Sequence, residues 1–131
     1  MIYLDSCMII YLVERHPLFA EQIERKLVLL DKEVKLVISP LVRLEVLVKP
    51  RREENHALLF RYEQFLTALQ SLSMPTEVYE IALSLRVEYN LKTPDALHLA
   101  TAQFHHCSQF WTNDERLNGA SSLSINIFKN H

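Results

Sequence analysis

Apolar residues along this chain fall into short unbroken runs and longer stretches at helical spacing, and the two alternate from end to end. Residues 2–4 (Ile-Tyr-Leu) form a first apolar run that stops at Asp5-Ser6; beyond it Met8, Ile9, Leu12 and Val13 recur at helical spacing. The pattern predicts strand, turn, helix, with His16-Pro17 ending the helix. Ile23, Leu27 and Leu30 mark an amphipathic second helix, and residues 34–38 read as a β-branched strand. Ser39-Pro40 supplies an N-cap and a first helical residue for a helix over 41–48, which Pro50 is expected to stop. After the charged stretch 51–54, a long helix carries Leu58, Leu59, Tyr62, Phe65, Leu66 and Leu69 on one face, followed by an extended piece near 72–74. Thr76 suits the cap of a helix bearing Val78, Ile81, Ala82 and Leu85, closed by Asn90 in a left-handed conformation. Thr93-Pro94 repeats the cap-plus-proline start for a helix through His105. Residues 109–112 and 124–128 are the last strands, separated by a short helical turn and Gly119.

Strands alternating with helices imply an α/β fold, a parallel sheet covered on both faces and wound by right-handed crossovers. Ligands of such sheets bind at the carboxyl ends of the strands, where the winding reverses. Asp5 follows the first strand and Asp114 the penultimate one, so both are expected at that edge.

The chain has 131 residues, 15.4 kDa, 49% hydrophobic and 23% charged, which suits one domain over residues 1–131 around a single core. One Gly and five Pro leave little room for linkers, and a single Gly rules out a glycine-rich loop cradling phosphates. The longest apolar runs are too short to span a bilayer and no basic leader precedes one, so the expectation is a cytoplasmic protein. Cys7 and Cys107 are expected as free thiols. A formal net charge of -2 excludes nucleic-acid binding by bulk charge, while leaving room for a local basic patch.

Four acids stand where buried segments meet solvent: Asp5, Glu45, Asp95 and Asp114. If they share one pocket, their mutual repulsion requires a cation among them. Each also has a purely structural role open to it. Asp5 suits a helix cap, Asp95 a first helical turn where the dipole favours a carboxylate, and Asp114 a turn after Thr112-Asn113. Glu45 interrupts an apolar helical face between Leu41, Val42 and Val48, where a structural ion pair with Arg43 or Arg86 is the alternative. His98, three residues beyond Asp95, either faces the same pocket or packs as a hydrogen-bonded core histidine. Cys7 reads as a packing residue near the pocket. His105-His106-Cys107 is half a zinc pattern without a second half, and reads as a helix end. Arg43, Lys49, Arg51 and Arg52 are either a solvated helix end or a landing patch for phosphates.

The segments IYLDSC, SPLVRLEVLV, TPDALHLATA and WTNDERL, in this order and spacing, resemble the four motifs of the PIN domain in its VapC-type branch. The resemblance covers essentially the whole chain. It implies a three-layer α/β/α fold with a five-stranded parallel sheet, and an endoribonuclease dependent on Mg²⁺ or Mn²⁺. Asp5, Glu45, Asp95 and Asp114 match the family's acidic, metal-holding positions, and Ser6 and Thr112 its supporting hydroxyls. Cys7 departs from the small or amide residue common there. The resemblance further implies an RNA substrate cut by water to leave 5′-phosphate and 3′-hydroxyl ends, a cognate antitoxin and a homodimer, as in VapBC-type toxin-antitoxin pairs.

Three other readings compete. A receiver-like signalling module also uses an acidic Mg²⁺ pocket, but needs an acceptor Asp after its middle strand, where this chain has Ser39-Pro40 or Pro75-Thr76. A noncatalytic domain of the same fold, or a housekeeping RNA-processing nuclease, are the others.

Overall fold

The structure, a computed structural model, describes residues 1–121 and 123–129. The last two residues of the expected domain lie outside that range. Its sheet is built around β1 (Ile2–Leu4), three residues long and buried on both faces. A strand with no wet face needs cover above and below, which is the condition of parallel sheets flanked by helices. Beside β1 run β2 (Leu36–Ile38), with Ile2 opposite Leu36, and β4 (Gln109–Thr112), with Leu4 opposite Trp111. β3 (Gln70–Ser71) lies outside β2 and β5 (Ser124–Ile127) outside β4. All pairs are parallel, in the order β3-β2-β1-β4-β5.

Between β1 and β2 come α1 (Ser6–Val13) and α2 (Phe19–Val28), and between β2 and β3 come α3 (Pro40–Arg52) and α4 (His56–Thr67). α1 packs on α2, α3 and α4, so these helices form one layer. The return from β3 to β4 carries α5 (Thr76–Tyr89) and α6 (Thr93–Phe104), which pack on each other. Right-handed crossovers running the opposite way along the sheet put them on the other face, giving three layers, α/β/α. Inside lie Tyr3, Leu4, Phe110 and Trp111, all at 1% exposure or less, with Tyr3 stacked on Phe110 at 5.3 Å between ring centres. Because β1 sends its chain towards β2 while β4 receives its chain from the far side, the two neighbours open a crevice at their carboxyl ends.

Several boundaries differ from the sequence pattern for identifiable reasons. α1 stops at Val13, before His16-Pro17, where Arg15 turns left-handed with φ 55. His16 belongs to the next element: its Nδ1 accepts the N–H groups of Leu18 and Phe19 at 3.1 and 3.3 Å, satisfying free donors at the start of α2. Pro50 does not stop α3, which runs to Arg52. The helix continues because Glu53 N–H reaches Lys49 O and Asn55 N–H reaches Pro50 O, so only the bond that Pro50 cannot donate is lost. Ser39 is the N-cap residue of α3, but its hydroxyl serves Tyr3 instead of the helix. Thr76 and Thr93 are first helical residues, behind Pro75 and Lys92 as caps. β2 begins at Leu36 and β3 two residues earlier than the extended piece expected at 72–74. Asn90 does close α5 left-handed, at φ 55 and ψ 39, and β4 spans the expected residues.

Candidate active site

At the end of β1 the chain turns sharply into α1, and Asp5 is the cap of that turn. Its Oδ1 accepts the Ser6 N–H at 2.8 Å, and its Oδ2 accepts the Thr112 hydroxyl from β4 at 2.7 Å. The Asp5 N–H donates to Trp111 O at 3.0 Å, tying the same residue to β4 through its backbone. Both oxygens of this buried residue are thus aimed, one by the start of α1 and the other by β4. Thr112 does more: its Oγ1 also accepts the Asp114 N–H at 3.2 Å, so one hydroxyl joins two of the acids.

Glu45 reaches the crevice from the side of α3. Its Oε1 accepts the Ser6 hydroxyl at 2.7 Å and lies 2.5 Å from His98 Nε2. His98, on α6 and 2% exposed, stands 3.7 Å from Asp5 Oδ1 and places Nδ1 2.6 Å from the Tyr3 hydroxyl, which in turn bonds Ser39 Oγ at 2.7 Å. Burial pulls the imidazole down, but the hydrogen bond to Glu45 and the charges of Asp5, Glu45 and Asp95 outweigh it, so His98 titrates above its ordinary value. Burial likewise pushes Glu45 up, yet His98 and Ser6 hold it below the usual carboxylate range. The shifts of the two partners agree in direction: each favours the charged form of the other across the His98–Glu45 contact. Neither ion pair with Arg43 or Arg86 forms; Arg43 bonds Glu63 at 2.7 Å and Arg86 Nε donates to Leu91 O at 3.0 Å.

Asp95 lies in the first turn of α6, half-buried, with a carboxyl raised by burial and then by the charges of Asp5 and Asp114. Asp5 and Asp114 thus disfavour the ionised form of Asp95, as like charges do. Asp114 caps the 3-10 turn Glu115–Leu117 and is gripped by Arg116, whose Nε lies 2.9 and 3.1 Å from its two oxygens. That grip holds Asp114 below its ordinary value, and Arg116 Nη2 also stands 3.9 Å from Asp95. The structure thus links Asp5 to Glu45 and to Asp114 through the Ser6 and Thr112 hydroxyls, sets His98 between Asp5 and Glu45, and sets Arg116 between Asp114 and Asp95.

Among the described residues no three His, Cys, Asp or Glu side chains converge as a ready-made metal cage, since hydroxyls and the two cations stand between the acids. The chemistry of the donors still suits a hard divalent ion. All the acids offer oxygen, their negative charge exceeds that of His98 and Arg116, and the one nearby sulfur is inert: burial and then Asp5 push the Cys7 thiol up to about 12. Cys7 lies 3.9 Å from Thr112 Oγ1 and packs there. At the other end of α6, His105 Nε2 lies 2.8 Å from Ser73 O and Cys107 is a buried free thiol, as a helix end requires.

The basic cluster on α3 stands apart from the acids. Arg43 is paired with Glu63 and Lys49 lies 3.9 Å from Glu14, while Arg51 and Arg52 are exposed. The residues that pattern reading undervalued are Tyr3, His98 and Arg116. Tyr3 sits inside an apolar run and Arg116 in a charged turn two residues after Asp114, while His98 carried a signal, three residues beyond Asp95, and does face the pocket.

No curated protein sequence matches this one. Solved structures do match in fold. VapBC2 from Rickettsia felis, bound to a DNA fragment from its promoter, superposes with a TM-score of 0.83 at 20% identity, over 98% of this chain and 100% of that one. FitAcB from Neisseria gonorrhoeae gives 0.77 at 21% identity over 95% and 96%. A toxin-antitoxin complex from Klebsiella pneumoniae gives 0.74 at 25% identity over 91% and 92%. The PIN domain family model matches residues 2–122, nearly the whole sequence, and the chain belongs to the PIN domain family.

Proposed function

We propose that this protein is an endoribonuclease dependent on Mg²⁺ or Mn²⁺, the toxin of a VapBC-type pair. The observation that carries the reading is the meeting of Asp5, Glu45, Asp95 and Asp114 at the β1/β4 crevice, in a fold whose family generally consists of nucleases. Asp5, Asp95 and Glu45 are the side chains that would hold the ion, with Asp114 completing the group. A bound divalent ion would supply Lewis acidity to the phosphodiester and bring water near its reactive form at neutral pH.

What the chain itself contributes is orientation and charge. Ser6 and Thr112 fix Asp5 and Glu45, so their oxygens need no reorganisation when a cation arrives. Tyr3 and Ser39 hold the His98 ring, which keeps Glu45 ionised at the inner wall. Arg116, 63% exposed and already beside Asp95 and Asp114, is placed to meet a substrate phosphate.

A cognate antitoxin and a second copy of the chain are the partners we propose. The matched structures include toxin-antitoxin complexes, and Leu44, Val48 and Phe60 are exposed on α3 and α4 while Tyr79, Leu83 and Val87 form an exposed stripe along α5. Among the described residues no helix is long and apolar enough to cross a membrane, and we place the protein in the cytoplasm, where RNA is at hand.

The test is cleavage of a mixed cellular RNA pool with Mg²⁺ or Mn²⁺, beside EDTA and Asp5→Asn controls, with the product ends sequenced. Discrete metal-dependent cuts with 5′-phosphate ends, absent from Asp5→Asn, are expected. Ends bearing 2′,3′-cyclic phosphate would overturn hydrolysis by water, and metal-independent cutting would overturn the role of the acids.

A further inference from the structure

A cleft of about 540 Å³ opens beside the acids, between the end of α5, the turn into α6 and the 3-10 turn. Its walls include Arg86, Tyr89, Lys92 and Arg116, and the single acid among its lining residues is Asp95, which it shares with the crevice just described. Three cations against one carboxylate invert the sign of a chain whose net charge is -2. Resting on the nuclease reading, we infer that this cleft receives single-stranded RNA next to the bond to be cut, with Lys92 and Arg116 on its phosphates and Tyr89 beneath a base.

Two of the cations here are uncommitted, while the third, Arg116, is shared with Asp114 and Asp95. Lys92 makes no ion pair among the described residues, and Arg86 spends only its Nε, on Leu91 O, so its terminal nitrogens stay free. On α3, Arg43 and Lys49 face Glu63 and Glu14. Tyr89 is 40% exposed and offers a flat face at the rim. Stacking on an aromatic ring needs an unstacked base, which single strands provide and duplexes do not. The volume lies within the range of about 300–1,000 Å³ typical of small-ligand pockets, room for a nucleotide unit. Asp95 as a common wall places that unit directly against the acids.

The experiment is anisotropy of a labelled single-stranded RNA in the Asp5→Asn background with Mg²⁺, where substrate survives. Lys92 and Tyr89 are exposed, so their substitution leaves the fold intact. Lys92→Ala is expected to weaken binding roughly five- to tenfold and to lower the salt slope by about 1. Tyr89→Ala should weaken it about fivefold or more, and Tyr89→Phe should restore it, because stacking needs only the ring. Arg51→Ala and Arg52→Ala are expected to bind as the parent does. If the Lys92 and Tyr89 variants bind unchanged while the Arg51 and Arg52 variants weaken, the strand crosses α3 and the inference is overturned. Should wild-type protein cut RNA while cleft variants bind normally, this inference falls and the nuclease reading stands. Neither cleavage by wild type nor binding by the parent would overturn both.

Discussion

At the scale of single residues, the site is a set of side chains each held by two others. Asp5 has Ser6 and Thr112, Glu45 has Ser6 and His98, and His98 has Glu45 and Tyr3. A comparable tie outside the site gives a cleaner energetic test. Tyr62, 1% exposed on α4, donates its hydroxyl to Glu14 at the end of α1. Tyr62→Phe should cost about 1 kcal/mol at neutral pH, read by urea unfolding. Burial and then the Glu14 hydrogen bond push the Tyr62 phenol well above its ordinary value. The folded state therefore binds that proton more tightly than the unfolded state does, and the advantage is lost as pH rises beyond about 10. The gap between wild type and Tyr62→Phe should narrow there; a gap that widens instead would refute the assignment. Asp5, Asp95 and Asp114 could be singled out in the sequence because each stands where an apolar segment ends, Glu45 because it interrupts an apolar face, and His98 by its spacing from Asp95. Tyr3 could not, since a polar atom satisfied inside the core leaves no trace in hydrophobic spacing.

At the scale of elements, the turn between α5 and α6 is the piece that positions both Asp95 and the basic cleft. Asn90 stands left-handed at φ 55 with its N–H on Arg86 O at 2.9 Å, and Arg86 in turn bonds Leu91 O. Asn90→Gly should leave thermal stability equal or higher, whereas Asn90→Val should lower it by about 1–2 kcal/mol, because a β-branched side chain resists that backbone region. Equal melting of the two variants would show that the turn is not held where the structure has it. Element order, type and this turn were readable from apolar period and Asn90. Ends were not, because they depend on tertiary partners: the Ser39 hydroxyl is drawn to Tyr3, His16 caps the helix after it, and Pro50 falls late enough in α3 for the following bonds to close around it.

At the scale of the whole molecule, the acids are held near one another in the folded state alone, so the ion binding we propose would be linked to folding. Mg²⁺ at a hundred times its dissociation constant should stabilise the protein by about 2.7 kcal/mol, seen as a rise in melting temperature, and Asp5→Asn should lose most of that rise. An equal rise in the variant would remove Asp5 from the ion's ligands. The bond from Thr112 to Asp5 spans 107 residues and joins the first strand to the fourth. It also sets a schedule for synthesis. Asp5 has its Ser6 cap and β1 has β2 beside it as soon as those segments exist, but the second oxygen of Asp5 and the other edge of β1 lack their partners until β4 has been made. For a protein that we propose to cut RNA, a chain still lacking β4 also lacks one wall of the crevice in which the cut would be made.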